Sequence, residues 1–246
     1  MNSTDANVAM ALPAGDAASG GLGPRIVSGL VLATLALALA YLGGVAFNLL
    51  LLAAAGLMAY EWRRLCDGGA PSARTRLQWS AIGLVYIAVP CIAIIWLRAA
   101  FGWQTIFWLF AVVWATDIGA YFAGLGFGGP RLAPRISPHK TWSGLAGGVV
   151  CAAAVGAATA VLLGLPHLPR LAFLSALAFL SALLALVAQA GDLWESMVKR
   201  RFHAKDTGTL IPGHGGLLDR LDGLMAAAPA VAAATLIGGE SVLAWR

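Results

Sequence analysis

The stretch RIVSGLVLATLALALAYLGGVAFNLLLLAAAGLMAYE, residues 25–61, carries no charged side chain between its two ends. A helix needs about 20 residues to cross the hydrocarbon core of a bilayer. The run between Arg25 and Glu61 is therefore long enough for two crossings, and we expect the chain to turn at Gly43-Gly44. This stretch predicts a pair of helices embedded in a membrane.

The whole composition agrees with a membrane protein. Hydrophobic residues make up 60% of the chain and charged residues only 11%, against about 25% charged residues in soluble domains. We therefore predict an all-α, polytopic integral membrane helical bundle with a polar catalytic loop region on the cytoplasmic side. The length criterion gives about seven transmembrane helices, near 26–42, 45–60, 79–97, 104–124, 143–164, 171–190 and 223–239.

Three regions follow from this pattern. Residues 1–23 are polar, rich in Ala and Gly and free of basic residues, so we expect a disordered N-terminal tail rather than a signal peptide. Residues 24–100 are expected to form the N-terminal transmembrane helices. Residues 101–246 are expected to form the C-terminal transmembrane catalytic region, because most residues capable of chemistry lie there.

The basic residues predict the orientation, since Lys and Arg favour cytoplasmic loops. If the N-terminus is inside and the spans alternate, 13 of the 16 Lys and Arg residues fall on the inner side. We therefore expect a protein of the cell inner (cytoplasmic) membrane with its active site facing the cytoplasm. The net charge of +5 then fits anionic membrane lipid and does not call for nucleic acid.

The segment GDLWESMVKRR, residues 191–201, places several polar side chains on one helical face. Asp192, Glu195, Ser196 and Lys199 are spaced at i, i+3, i+4 and i+7. A solvated helix end with a Glu195–Lys199 pair would explain this spacing without any function. Asp192, however, directly follows an apolar span, and an ionisable residue at that depth is a functional candidate.

The segment KDTGTLIPGHGGLLDRLD, residues 205–222, combines glycines, basic residues and two aspartates. Its glycines permit close approach of the backbone, and successive amides can bind an anion. Asp219 and Asp222 share a helical face, and Mg²⁺ on a polyphosphate typically takes one or two carboxylates. The alternative is a glycine-rich loop with a helix cap and incidental ion pairs. For His214 the ordinary interpretation is a hydrogen bond within the loop. It could also act as a general base or donate a hydrogen bond to a phosphate.

Two further polar sites precede these segments. Asp117 lies inside the apolar stretch VWATDIGAYFAG, residues 113–124, where it either locks two helices through a buried hydrogen bond or serves a function. The segment RISPHKTWSG, residues 135–144, supplies Ser137, Lys140 and Thr141, which suit contact with a phosphate. A basic loop on the inner side would explain its charges but not its hydroxyl groups.

The segment SMVKRRFHAKDTGTLIPGHGGLLDRLD, residues 196–222, resembles the signature of phosphatidate cytidylyltransferases (CDP-diacylglycerol synthases). DIGAYFAG at 117–124 and LAPRISPHKTWSG at 132–144 are similar to the same family, and the resemblance covers roughly residues 105–230. One departure is Ser143, since members of that family usually carry a glutamate at this point of the loop. The amino-terminal half is expected to contribute only spans.

The resemblance implies an enzyme that converts CTP and phosphatidate to CDP-diacylglycerol and diphosphate, in phospholipid biosynthesis. It also implies Mg²⁺, with K⁺ as an optional second ion, and a homodimer. The metal ligands map onto Asp192 and Asp219, with Asp222 as an auxiliary ligand. The predicted catalytic residues are Asp192, Asp219, Lys199, Arg220 and His214. The predicted substrate-binding residues are Ser196, Arg200, Lys205, Asp206, Gly215, Gly216, Ser137, Lys140, Thr141 and Asp117.

Two other functions are compatible with parts of this pattern. One is another CTP-dependent membrane lipid enzyme, such as a polyprenol kinase or a cytidylyltransferase for a different lipid. A polyprenol kinase would release CDP rather than diphosphate. A membrane transporter would use Asp117 and Asp192 as an ion path, but transporters often show internal repeats, and the sequence shows no convincing repeat.

Overall fold

The structure, a computed structural model, describes residues 22–163, 170–208 and 215–238, and within them the chain forms seven helices. They are α1 (Leu22–Leu42), α2 (Gly44–Gly69), α3 (Ala73–Phe101), α4 (Trp103–Phe127), α5 (Trp142–Leu163), α6 (Arg170–Arg201) and α7 (Leu218–Gly238). Six of them are long and apolar enough to cross a membrane, and α1 adds a shorter apolar helix over Val27–Leu42. The predicted all-α polytopic membrane bundle is confirmed.

The predicted turn between the first two helices is confirmed at Gly43 and Gly44. Both residues have positive φ, 68° and 60°, which glycine adopts at no steric cost. The guanidinium of Arg98 on α3 packs over Gly43 and donates to the carbonyls of Ala40 and Tyr41, at 2.5 and 2.8 Å. The end of α1 is thus capped by a side chain from α3.

Helices α4, α5 and α6 pack closely because small residues line their contacts. A Cβ atom on Gly148 of α5 would lie 2.8 Å from the carbonyl oxygen of Thr116 on α4, nearer than real Cβ atoms approach. The indole of Trp108 on α4 donates to Ser181 Oγ on α6 at 3.1 Å. Small residues of this kind are how membrane helices gain contact, since lipid offers no hydrophobic driving force for association.

Several helices are longer than the apolar runs that predicted them. The span predicted to end at 190 continues to Arg201, and the span predicted from 79 begins at Ala73, where Ser72 Oγ accepts from Thr75 N at 3.1 Å. The hydropathy criterion detects only the part of a helix that faces lipid. Polar residues whose partners lie inside the protein lengthen the helix beyond that part. The predicted tail, residues 1–23, lies outside the described residues up to 21, and α1 already begins at Leu22.

A β-hairpin connects α4 to α5 where the sequence predicted a loop. Strand β1 (Arg131–Ala133) pairs antiparallel with β2 (Ser137–Thr141), and the amide of Ile136 closes the turn onto the carbonyl of Ala133 at 3.1 Å. Hydropathy gives no signal for such short strands. The hairpin lies at the end of the bundle where α4 ends and α5 begins.

An apolar cluster joins the amino-terminal helices to the later ones. It contains Met58, Trp62, Leu65 and Cys66 of α2, Ile87 and Cys91 of α3, Val198 of α6 with the following Phe202, and Leu218 and Met225 of α7. Trp62 also stacks on Trp194 of α6, with ring centroids 5.9 Å apart. The end of α2 and the middle of α3 therefore pack directly against the segments that carry the predicted site.

Candidate active site

A polar cavity of about 640 Å³ opens between α4, the hairpin, α6 and α7. Its polar wall consists of Asp117, His139, Lys140, Thr141, Gln189, Asp192, Asp219, Arg220 and Asp222. Its other wall is largely apolar and includes Tyr121, Leu125 and Leu145, of which Tyr121 and Leu125 are exposed. The structure thus brings together predicted residues from four separate stretches of the sequence.

Lys140, at the end of the hairpin, lies against Asp192 on α6. Its Nζ atom is 2.5 Å from Asp192 Oδ2 and donates to Gln189 Oε1 at 2.8 Å. Ser196, one turn further along α6, donates to Asp192 Oδ1 at 3.3 Å. The four side chains therefore connect the hairpin to α6 across one wall of the cavity, and Gln189 is a member that the sequence did not predict.

Asp219, in the first turn of α7, has hydrogen bonds on both carboxylate oxygens. Lys199 Nζ lies 2.7 Å from Oδ1. Oδ2 accepts from Thr207 N at 2.9 Å, Thr207 Oγ1 at 3.0 Å and Gly216 N at 3.0 Å. The sequence predicted that amides of the glycine loop bind a substrate oxygen. In the structure one of them, on Gly216, donates to the Asp219 carboxylate instead.

Lys199 sits between two carboxylates in a nearly dry environment. Besides Asp219 it contacts Glu195 Oε1 at 3.3 Å, and the Glu195 side chain is only 1% exposed. Tyr86 of α3 donates to the other oxygen of Glu195 at 3.3 Å. The pairing of Glu195 with Lys199 is present as the sequence suggested, but it is buried rather than solvated.

Other predicted residues have contacts of a different kind. Arg200 donates to the carbonyls of Ile136 in the hairpin turn and of Ala204, at 3.2 and 3.3 Å. Lys205 and Asp206 line a separate cavity of about 470 Å³ next to Arg64. The substrate-binding roles of Arg200, Lys205 and Asp206 stay predictions.

Of the remaining predicted residues, one lines the main cavity and others lie outside it. Thr141 lines the main cavity while its Oγ1 accepts from Gly144 N at 3.0 Å, and Ser137 pairs with Ala133 in the hairpin. Ser143, which stands where the family glutamate was expected, donates to the carbonyl of Gly128. His214 lies outside the described residues, and Gly215 begins the next described segment with φ of 83°.

Glu61 of α2 is the functional candidate that the sequence argument missed. Its side chain is 1% exposed, and its two oxygens accept from Leu217 N and Leu218 N, each at 2.9 Å. The amino-terminal half, which was expected to contribute only spans, thus also contacts the signature segment through Glu61. A signal was available, since Glu61 ends a charge-free apolar run as Asp192 does, and acidic residues at such positions mark functional sites.

Comparison with known proteins decides the family. The sequence model of the Cytidylyltransferase family matches residues 71–237. The chain is 41% identical to Phosphatidate cytidylyltransferase of Brucella suis biovar 1 (strain 1330), covering 83% of this chain and 89% of that protein. It is 36% identical to Phosphatidate cytidylyltransferase of Rickettsia felis (strain ATCC VR-1525 / URRWXCal2), covering 83% and 88%.

The chain belongs to the cytidylyltransferase family. The resemblance carried by residues 196–222 is thus confirmed, and so is the predicted class of enzyme, a nucleotidyltransferase. All the residues that line the main cavity lie within the matched range of the cytidylyltransferase family. Glu61 lies before that range.

The carboxylates of the cavity suit the Mg²⁺ that the cytidylyltransferase assignment implies. Asp117, Asp192 and Asp222 lie close enough to interact electrostatically with one another. Within the described part of the chain no three His, Cys, Asp or Glu side chains converge as a ready-made metal site. Mg²⁺ bound to a polyphosphate needs only one or two carboxylates and completes its shell with phosphate oxygens and water, so Asp192 and Asp222 fit it by their chemistry.

Proposed function

We propose that this protein is a phosphatidate cytidylyltransferase, which makes CDP-diacylglycerol and diphosphate from phosphatidate and CTP. The cavity carries the proposal, because its lining joins charged side chains with exposed apolar ones, Tyr121 and Leu125, at the end of helices long and apolar enough to cross a membrane. A charged nucleotide and a lipid headgroup must meet in such a place. The names of the Brucella and Rickettsia relatives support the same substrates.

The reaction balances without a strong base. An oxygen of the phosphatidate phosphate attacks the α-phosphorus of CTP, the bond from that phosphorus to the β-phosphate oxygen breaks, and diphosphate leaves with the electron pair. The attacking phosphate is already an anion at neutral pH. The protein therefore has to align two anions and reduce their repulsion.

The basic side chains of the cavity can reduce this repulsion. Lys140 and Arg220 face the cavity, where they are placed to neutralise phosphate oxygens. Lys140 is itself paired with Asp192, but Lys199 is not among the residues that line the cavity and is held by Glu195 and Asp219, so we assign Lys199 to fixing Asp219 rather than to a substrate phosphate. His214 receives no step.

Asp192 and Asp222 would hold Mg²⁺ at the phosphates of CTP, with Asp117 nearby. The ion would supply positive charge to the phosphate oxygens as diphosphate forms. Asp219 was predicted as a ligand, but it already accepts from Lys199 at Oδ1 and from three loop donors at Oδ2, so most of its acceptor sites are used within the protein. We therefore favour Asp222 over Asp219 as the partner of Asp192, and K⁺ as a second ion remains a prediction from the family resemblance.

The test uses purified protein in mixed micelles with phosphatidate, Mg²⁺ and CTP labelled in the α- or the γ-phosphate. We expect α-label in the extracted lipid and γ-label in released diphosphate. Transfer of γ-label to a lipid with release of CDP would show a kinase of the polyprenol type instead. A lipid phase free of both labels would contradict the proposal.

The location and the assembly belong to the same proposal. We place the protein in the inner membrane with the cavity facing the cytoplasm, because the cavity lies at the end of the bundle that carries most basic residues. A homodimer follows from the family resemblance alone. Light scattering of the detergent-solubilised protein, corrected for bound detergent, measures its mass and would show a monomer directly.

A further inference from the structure

Glu61 lies at the point where the amino-terminal helices reach the signature segment. It belongs to α2, whose apolar part faces lipid, and yet its carboxylate is 1% exposed and lies among loop and α7 residues. Burying a carboxylate costs free energy unless hydrogen bonds compensate it. Its position therefore requires that its contacts be specific.

Those contacts are the main-chain donors at the start of α7. Leu217 N donates to Glu61 Oε1 and Leu218 N donates to Oε2, both at 2.9 Å. The first amides of a helix lack partners within the helix and carry a partial positive charge. Glu61 thus caps α7 with a side chain that is 156 residues away from Leu217 in the sequence.

Two glycines of the signature make room for this carboxylate. A Cβ atom on Gly208 would lie 2.8 Å from Glu61 Oε1. One on Gly216 would meet Thr207 Oγ1 first and would also lie 2.9 Å from Glu61 Oε2 and 3.0 Å from Asp219 Oδ2. Gly208 therefore serves the approach of Glu61, and Gly216 serves the approach of Thr207 together with the two carboxylates. The sequence had offered Gly216 to the substrate instead.

Thr207 connects Glu61 to Asp219. Its Oγ1 lies 3.0 Å from Asp219 Oδ2 and 3.4 Å from Glu61 Oε2. The hydroxyl has one proton to donate, and the contact with Asp219 is the shorter of the two. The carboxylates of Glu61 and Asp219 share one hydroxyl and take successive amides, those of Gly216, Leu217 and Leu218. They hold the loop and the first turn of α7 as one unit.

We propose that Glu61 is a positioning residue for cytidylyl transfer: by binding the Leu217 and Leu218 amides it sets where α7 begins and hence where Asp219 and Asp222 stand relative to Asp192. The inference rests on the proposed function. A displacement of reacting groups by about 1 Å can cost about 100-fold in rate. Loss of the two bonds to Glu61 frees α7 to shift by such an amount.

The test compares the wild type with Glu61→Gln, which keeps the side-chain length but turns one acceptor oxygen into a donor that faces a backbone N–H. We expect kcat per folded protein to fall about 10- to 100-fold, while KM for CTP and for phosphatidate stays close to wild type. The assay runs well below the unfolding midpoint of each variant, which is measured in the same detergent.

Ser181→Ala is the matched control, since it removes another buried helix-to-helix hydrogen bond, from Trp108, far along the sequence from α7. It should lower the unfolding midpoint and leave kcat unchanged. If Glu61→Gln behaves like Ser181→Ala, with a lower midpoint and wild-type kcat, Glu61 is structural and the inference is overturned.

Glu61→Asp serves where Glu61→Gln does not fold, because it keeps both acceptor oxygens and retracts them by one methylene group. A reduced kcat with unchanged KM supports the inference, and wild-type kcat overturns it. Failure of the proposed function looks different. In that case the wild type itself transfers no label from CTP to lipid, before any variant is compared.

Discussion

Asp192 and Asp222 face the same cavity from α6 and α7 but have different neighbours. Asp192 is paired with Lys140, whereas the charged neighbours of Asp222 include the carboxylates of Asp192, Glu195 and Asp117. Under the proposed function, Mg²⁺ at the phosphates of CTP would offset this negative charge. The pair is therefore where we expect the strongest effect of neutral substitutions.

We expect Asp192→Asn and Asp222→Asn each to lower kcat at least about 100-fold, the scale on which one preorganised electrostatic contact acts. Both variants should remain folded, since asparagine keeps the shape. The measurement is transfer of α-labelled cytidylyl to lipid at saturating Mg²⁺. Asp67→Asn is the control, because Asp67 is an exposed partner of Arg63 and Arg76 at the same end of the bundle, and its activity should equal wild type.

Lys199 and Asp219 form a nearly buried pair, and each side chain is 12% exposed. Lys199→Met leaves the carboxylates of Asp219 and Glu195 facing each other, which we expect to cost about 3–5 kcal/mol of stability. Asp219→Asn in the same chain should restore part of that loss, because the two residues are coupled. Thermal unfolding in detergent measures the cycle, and strictly additive effects would show that the pair contributes nothing.

At this scale the sequence predicted which residues gather but not what each one touches. Asp117, Lys140, Asp192 and Asp222 line one cavity, and the sequence had grouped them as site residues through the family resemblance. The partners of Asp219 and the capping by Glu61 depend on contacts between distant stretches, and no local pattern encodes a separation of 156 residues.

Among the elements, α4 and α5 pack closely against each other because glycine lies in their contact. Gly148→Ala would place a methyl group against the Thr116 carbonyl, and we expect a loss of about 1–3 kcal/mol from overpacking. Gly56→Ala on α2 is the matched control, since nothing lies within 4 Å of the added Cβ atom. It should be neutral or stabilise the helix, by up to about 1 kcal/mol, so the unfolding midpoint should fall for Gly148→Ala and stay or rise for Gly56→Ala.

The helices also show where hydropathy stops being informative. It located the seven helices, because a lipid-facing surface must be apolar along its whole length. It ended α6 near 190, since Asp192, Glu195 and Lys199 look like a surface when their buried partners are unknown. It gave nothing for the hairpin of β1 and β2, which is too short for a periodic pattern.

For the whole molecule, the two ends of α3 offer a direct test of orientation. Ala73 and Ala100 are both exposed and lie at opposite ends of this 29-residue helix, which is about 44 Å long. In a background with Cys66, Cys91 and Cys151 replaced by alanine, Ala100→Cys should react with an impermeant maleimide from outside intact cells. Ala73→Cys should react only in inverted membrane vesicles, and the reverse pattern would place the cavity on the outer face.

The long separation between Glu61 and its partners has a consequence for biosynthesis. A membrane protein is inserted helix by helix as it leaves the ribosome, and α2 enters long before α7 exists. During that interval the Glu61 carboxylate has no amides of α7 to bind, so it must stay hydrated at the membrane surface, which favours leaving the end of α2 outside the hydrocarbon until late. The cavity therefore gains its final shape only with α7, and a nascent chain that stops short of that helix carries an unfinished site.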